Sequence, residues 1–267
     1  MPKPNIDIDT VGMIMAYGLF LPGLAIVLYY RLKLFRQAVG ALIRMTLQLL
    51  LVGLYLRYIF LYNSFSINLL WVVLTMLAAN LSTMRQTELN WRRFLLPTVA
   101  ALALSFLPLL LYFLYLVARR PFADASITIP ITGVLLGNVM RGNVTAVDRF
   151  YRACRDRENE YLCRLMLGAT RLEALLPFLR DALHASATPF LAVMATVGIV
   201  TLPGVITGQL LGGTEPVLAI KYQIATMIGG FSVILCTSLL LILFTRPLAF
   251  LPNDRLREDV FRRKPKG

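Results

Sequence analysis

Not one charged side chain occurs between Val11 and Tyr30, and about 20 apolar residues in helix suffice to cross the hydrocarbon core of a bilayer. Six more apolar runs follow, at Ala38–Leu61, Ile67–Leu81, Phe94–Val117, Ala125–Met140, Pro189–Leu211 and Val217–Phe244. Backbone polar groups in lipid must be satisfied within the segment, so runs of this kind fold as helices. The fifth run is short and interrupted by Pro130, Gly133 and Gly137. The expected fold class is all-α: a polytopic transmembrane helix bundle of seven spans. It forms a single transmembrane domain over residues 1–267.

The charged minority orients the bundle. Only 15% of residues are charged, with 27 Lys and Arg against 14 Asp and Glu, a formal net charge of +13. Basic residues concentrate in alternate loops: Arg31, Lys33 and Arg36; Arg85, Arg92 and Arg93; eight arginines between Arg141 and Arg180; and a basic C-terminus from Arg246 to Lys266. Positive residues mark the cytoplasmic side, so the expected topology is N-out, C-in. The basic excess is then a topology signal and not a nucleic-acid signature. Met1 to Thr10 holds one Lys and two Asp, which is not the basic start of a cleavable signal. Cys154, Cys163 and Cys236 fall in the long loop and the last span, so no structural disulfide is expected.

Residues 141–186 form the one substantial excursion from the membrane, a helical segment with an apolar stripe through Val147, Phe150, Tyr151 and Cys154. Gly168 is positioned as a left-handed helix stop. Thr170-Arg171-Leu172-Glu173 fits a capping box, and Pro177 suits the first turn of a further helix. The pattern predicts helix, Gly turn, a very short helix over Arg171–Leu176, then a helix leading into span six. Two readings stay open: a knob for a partner's groove, or an ordinary connector.

These residues resemble a known group. Leu167-Gly168-Ala169-Thr170 with Glu173-Ala174 resembles the coupling segment of ABC transporter permeases. Three stretches resemble the FetB/YbbM-type permeases (uncharacterised protein family 0014) in order and spacing: Arg44–Gly53 (RMTLQLLLVG), Ile129–Met140 (IPITGVLLGNVM), and Leu202–Gly213 (LPGVITGQLLGG) followed by Ala219–Gln223 (AIKYQ). The family more usually continues after Met140 with a small or hydroxylic residue. Here Arg141-Gly142 precede Asn143 and put a fixed cation near the mouth of span five. The resemblance implies a multi-pass permease subunit in the plasma membrane (the bacterial inner membrane), paired with an ABC ATPase subunit in a two-plus-two assembly built on a permease homodimer. It implies export of iron or an iron complex, with an anionic solute such as a nucleotide sugar as the alternative. ATP and Mg would bind the partner, and this chain would hold no cofactor.

The residues bear on mechanism independently. None of Lys3, Lys33, Lys221, Lys264 and Lys266 follows a glycine, so no Walker A loop exists. Asp and Glu are absent from every apolar run, whereas ion-coupled carriers place acids there. For active transport, these absences together with the capped segment favour an energy source in a partner ATPase. The intramembrane ionisable residues are Arg44, Arg57 and Lys221. With Gln48, Asn138, Gln209 and Gln223, Arg44 and Lys221 form the candidate substrate pathway, which suits an anionic solute or a metal chelate. Snorkelling of these cations to an interface is the other reading. Several methionines could offer sulfur ligands, though packing accounts for them equally, and no metal site is assigned. Gly133 and Gly137, and Gly204, Gly208 and Gly212 after Pro203, repeat every four residues, as in close-packing helix faces or a hinge. A seven-span receptor fits the topology but lacks an outer disulfide. A membrane hydrolase would need Ser–His pairs or paired Asp. A passive channel leaves the capped segment without a use.

Overall fold

The computed structural model describes residues 9–87, 89–251 and 254–261. Among them the chain is all-helical, with three isolated β-bridges and no strand. The first apolar run divides into α1 (Thr10–Gly18), capped by Asp9, and α2 (Leu21–Tyr29), which carries Pro22 in its first turn. Next come α3 (Phe35–Tyr62) and α4 (Phe65–Gln86). The fourth run is α5 (Trp91–Tyr112), which carries Pro97 and Pro108 and widens into a π turn over Phe113–Val117. Then follow α6 (Ala125–Asp156), α7 (Glu158–Met166), α8 (Arg171–Thr196), α9 (Gly204–Leu211) and α10 (Pro216–Ala249).

Among the described residues, five helical stretches are long and apolar enough to cross a membrane: Thr10–Tyr29, Phe35–Tyr62, Phe65–Gln86, Arg93–Val117 and Pro216–Ala249. The fifth and sixth expected spans take other forms. Span five does not stop at Met140: α6, 32 residues long, continues to Asp156, because the apolar stripe predicted for the following segment stays in phase with it. Span six is not one helix. The chain leaves α8 at Thr196, turns through Gly198 at φ +89, pairs Val197 with Thr201, and resumes at Gly204 after Pro203. Pro203 therefore ends a non-helical stretch instead of kinking a continuous span.

The expected short helix over Arg171–Leu176 is also revised. Arg171 to Thr196 is a single helix of 26 residues, with Pro177 and Pro189 inside it. Ala174, Leu175, Phe178 and Ala182 form an unbroken buried stripe. That packing outweighs the one backbone hydrogen bond Pro177 removes. Gly168 does act as the stop, at φ +91.

The core lies among α4, α5, α6, α8 and α10, with Phe106, Leu110, Leu135 and Val233 in its middle and Phe94, Phe150, Tyr151 and Phe178 nearer the Arg-rich end. Helices α1 and α2 bury no residue and α3 buries only Ile59. Polar pins set the register. Asn68 Nδ2 donates to the carbonyls of Phe122 and Ala123 at 3.2 and 2.7 Å. Thr237 Oγ1 and Ser238 Oγ donate to Asn143 Oδ1, each at 3.1 Å, and Tyr151 OH donates to Thr245 Oγ1 at 2.7 Å. The Asn143–Thr237 and Tyr151–Thr245 pairs share one sequence offset of 94 residues, so α6 and α10 run parallel.

The two helices pack tightly at Gly142, where an added Cβ would sit 2.7 Å from Ile234 Cγ2. Gly142→Ala is expected to destabilise the protein by about 1–3 kcal/mol through overpacking, read as a lowered detergent melting temperature. The Gly142→Ala/Ile234→Ala double variant should cost less than the sum of the two single variants.

Candidate functional site

The parallel pair α6 and α10, together with α8 and the non-helical stretch after it, borders an open cavity of about 760 Å³. Its polar lining consists of Gln86, Asn138, Arg141, Thr145, Ser186, Thr201 and Gln223; Pro189, Phe190, Pro203, Val205, Met227 and Ile234 supply apolar walls. A cavity of this size is in the range that holds small ligands. Arg141 lies one helical turn beyond Asn138 on α6, and its Nη2 donates to Asn138 Oδ1 at 2.6 Å. Asn138 is 9% exposed and Gln223 4%. The side-chain amide of Gln223, which lines the cavity, has no hydrogen-bond partner among the described residues. Val134 and Val205 separate this space from a smaller pocket of about 210 Å³ that includes Gln209, Tyr222 and Thr226. Gln209 Oε1 is buried without a partner among the described residues.

Of the residues expected to line a pathway, Asn138 and Gln223 meet in the cavity and Gln209 adjoins it. Arg44 and Gln48 are exposed on α3, and Lys221 is exposed on α10; none of the three lines either space. Arg57 is likewise exposed. The cation that does reach the cavity is Arg141. Its signal in the sequence is the departure that places Arg141-Gly142 after Met140. The glycine repeats form no seam within the chain: a Cβ at Gly133, Gly137, Gly204 or Gly208 would meet nothing within 4 Å, and one at Gly212 would meet only the Gly208 and Gln209 carbonyl oxygens of its own helix. Close approach uses Gly142 and Gly230 instead; at Gly230 a Cβ would lie 2.7 Å from Phe190 Cζ. Neither glycine belongs to a four-residue repeat.

A second feature lies at the Arg-rich end. The turn between α7 and α8 is closed by the capping box: Thr170 N and Oγ1 both donate to Glu173 Oε2, at 2.8 and 2.7 Å, while Glu173 N donates to Thr170 Oγ1 at 3.4 Å. The Thr170 hydroxyl and then its amide hold the Glu173 carboxyl below its ordinary range. Around this turn, apolar side chains face outward. Met166 is 80% and Leu167 82% exposed, and Leu172 and Leu176 continue the patch along α8. Ala174, named with the coupling residues, is fully buried and serves the core. Beneath the turn, Tyr161 OH is buried without a partner among the described residues, and burial, then the Asp254 carboxylate, pushes it up to about 12.

The profile of the uncharacterised protein family UPF0014 matches residues 10–250. The chain belongs to this family. A UPF0014 membrane protein of Synechocystis is 30% identical over 85% of this chain and 88% of its own. The Escherichia coli protein named "Probable iron export permease protein FetB" is 29% identical over 79% of this chain and 81% of its own. Protein ALUMINUM SENSITIVE 3 of Arabidopsis is 31% identical over 76% and 74%. No solved structure matches significantly. The UPF0014 profile extends through both the cavity and the capped turn.

Glu173 is depressed in the folded state, so its contribution to the cap is present above the ordinary carboxyl pKa of about 4.3. The contribution is lost as pH falls through the lowered folded value. Amide protection at the start of α8 is therefore expected to hold at neutral pH and fade in acid, and Glu173→Ala should flatten that dependence.

Proposed function

We propose that this chain is the membrane-spanning permease subunit of an ABC transporter, with seven crossings, N-out and C-in, in the bacterial inner membrane. A separate ATP-binding subunit docks on the Arg-rich end, two permease and two ATPase chains forming the assembly. The observation that carries this reading is the exposed apolar patch of Met166, Leu167, Leu172 and Leu176, held in shape by the Thr170–Glu173 box at the start of α8. Four outward-facing apolar side chains on a charged, structured turn mark a surface for a partner, and α8 connects that surface to the cavity.

The seven crossings comprise the five long apolar helices, the first half of α6, and the end of α8 with α9. Parallel α6 and α10 support this, since a return crossing must lie between them. Non-helical backbone at membrane depth is tolerated where it lines a cavity, and Thr201 and Pro203 of the broken stretch do so. Iron or an iron complex is the proposed cargo, on the likeness to the FetB relative.

The test is co-purification of the detergent-solubilised chain with its ATP-binding subunit. Leu167→Asp and Leu172→Asp should each reduce recovery of the ATPase at least ~10-fold while leaving the permease folded. An ATPase that stays bound to a Leu167→Asp/Leu172→Asp double variant would sink the docking site.

A further inference from the structure

The chemistry of the cavity defines what can occupy it. Among the described residues lining it there is one ionisable group, Arg141, and no Asp, Glu, His or Cys. Among the described residues of the whole chain, no group of three or more His, Cys, Asp and Glu could hold a metal ion. Hydrated iron entering such a site would exchange water for amides, hydroxyls and the one thioether of Met227. It would also do so beside a fixed positive charge. Divalent iron seeks imidazole, carboxylate or thiolate, so the cavity repels the bare ion and supplies none of these ligands to replace its water.

The same groups suit an anion. Arg141 has no carboxylate partner among the described residues. Its single side-chain hydrogen bond, to Asn138 Oδ1, fixes the guanidinium and leaves donors free. A guanidinium presents a planar fork that matches carboxylate and phosphate oxygens. The Gln223 amide, deeply buried and unpartnered, adds an N–H donor on the α10 side.

We infer that this cavity binds a solute carrying net negative charge on carboxylate or phosphate oxygens, with Arg141 as its counter-ion and Gln223 as a second donor. Iron, where it is the cargo, then travels as an anionic chelate. The inference rests on the permease reading for its meaning in transport, while the binding step is open to measurement without any ATPase.

The experiment uses the full chain in nanodiscs of zwitterionic lipid. Equilibrium binding is read for iron(III) citrate, inorganic phosphate and, under anaerobic conditions, ferrous ion. Iron(III) citrate should bind saturably and ferrous ion should stay at background. Arg141→Gln should weaken the anion at least ~10-fold, as expected for losing hydrogen bonds to a charged group. Arg141→Lys should retain part of the affinity, Gln223→Leu should weaken it, and Arg36→Gln, at the exposed start of α3, should match the wild type. The inference is overturned by saturable ferrous binding that survives or improves in Arg141→Gln. It is also overturned by anion affinity indifferent to both Arg141 variants, or by a wild-type chain that binds neither anion. Loss of ATPase co-purification with anion binding intact would instead count against the permease reading alone.

Discussion

The contact between α6 and α10 determines where every other feature lies. Gly142 lets Ile234 approach to a distance that no larger residue would allow. One residue on, Asn143 accepts hydrogen bonds from Thr237 and Ser238. Two turns further, Tyr151 reaches Thr245. A buried polar group left without its partner costs about 1–3 kcal/mol, so sliding α6 against α10 would forfeit several such bonds together. The register is thereby pinned at the point where Arg141 leaves α6, and Gly142 and Ile234 are themselves part of the cavity wall. Gly142 and Ile234 thus serve both the close contact and the wall of the open space beside it.

The broken stretch over residues 197–203 follows from the same geometry. A continuous helix through Pro203 would leave a carbonyl unpaired in the bundle. The chain instead reverses through Gly198 and satisfies its own groups locally: Gly198 N donates to Thr201 O at 2.9 Å, and Thr196 Oγ1 bonds back to Ala192 and Val193 carbonyls. The polar backbone that remains borders the cavity. There, water or a solute can meet it.

Much of this was legible in the sequence, and the exceptions share a cause. Apolar runs predicted α3, α4, α5 and α10 to within a few residues, because length and hydropathy suffice for a helix in lipid. Gly168 and the Thr170–Glu173 box were readable because capping is a local interaction. Arg44 and Lys221 look like Arg141 to a sequence reading: each is a cation in or beside an apolar run. Which one faces a cavity depends on the rotation of its helix against neighbours distant in sequence. Gly133 and Gly208 had the spacing of a packing seam but face open space, while Gly142 and Gly230, without that spacing, meet Ile234 and Phe190. The short helix expected before Pro177 failed for a related reason. Pro177 removes one local hydrogen bond, whereas the buried stripe through Ala174, Phe178 and Ala182 holds the helix continuous.

That last difference alters how the two functional features can communicate. A coupling helix of one or two turns, joined flexibly to span six, could rock without moving anything in the membrane. One helix of 26 residues is a rod about 39 Å long at 1.5 Å per residue. Its first turn carries Leu172 beside the exposed patch, and its far half puts Ser186, Pro189, Phe190 and Val193 on the cavity wall. The Phe190 ring lies over Gly230 of α10, so the rod is braced against the helix that also carries Gln223. In the transporter reading, a push from the partner at the capped turn is therefore delivered at Phe190. The least restrained part of the path is the stretch beyond Thr196, where the backbone is already unwound and Thr201 and Pro203 border the cavity.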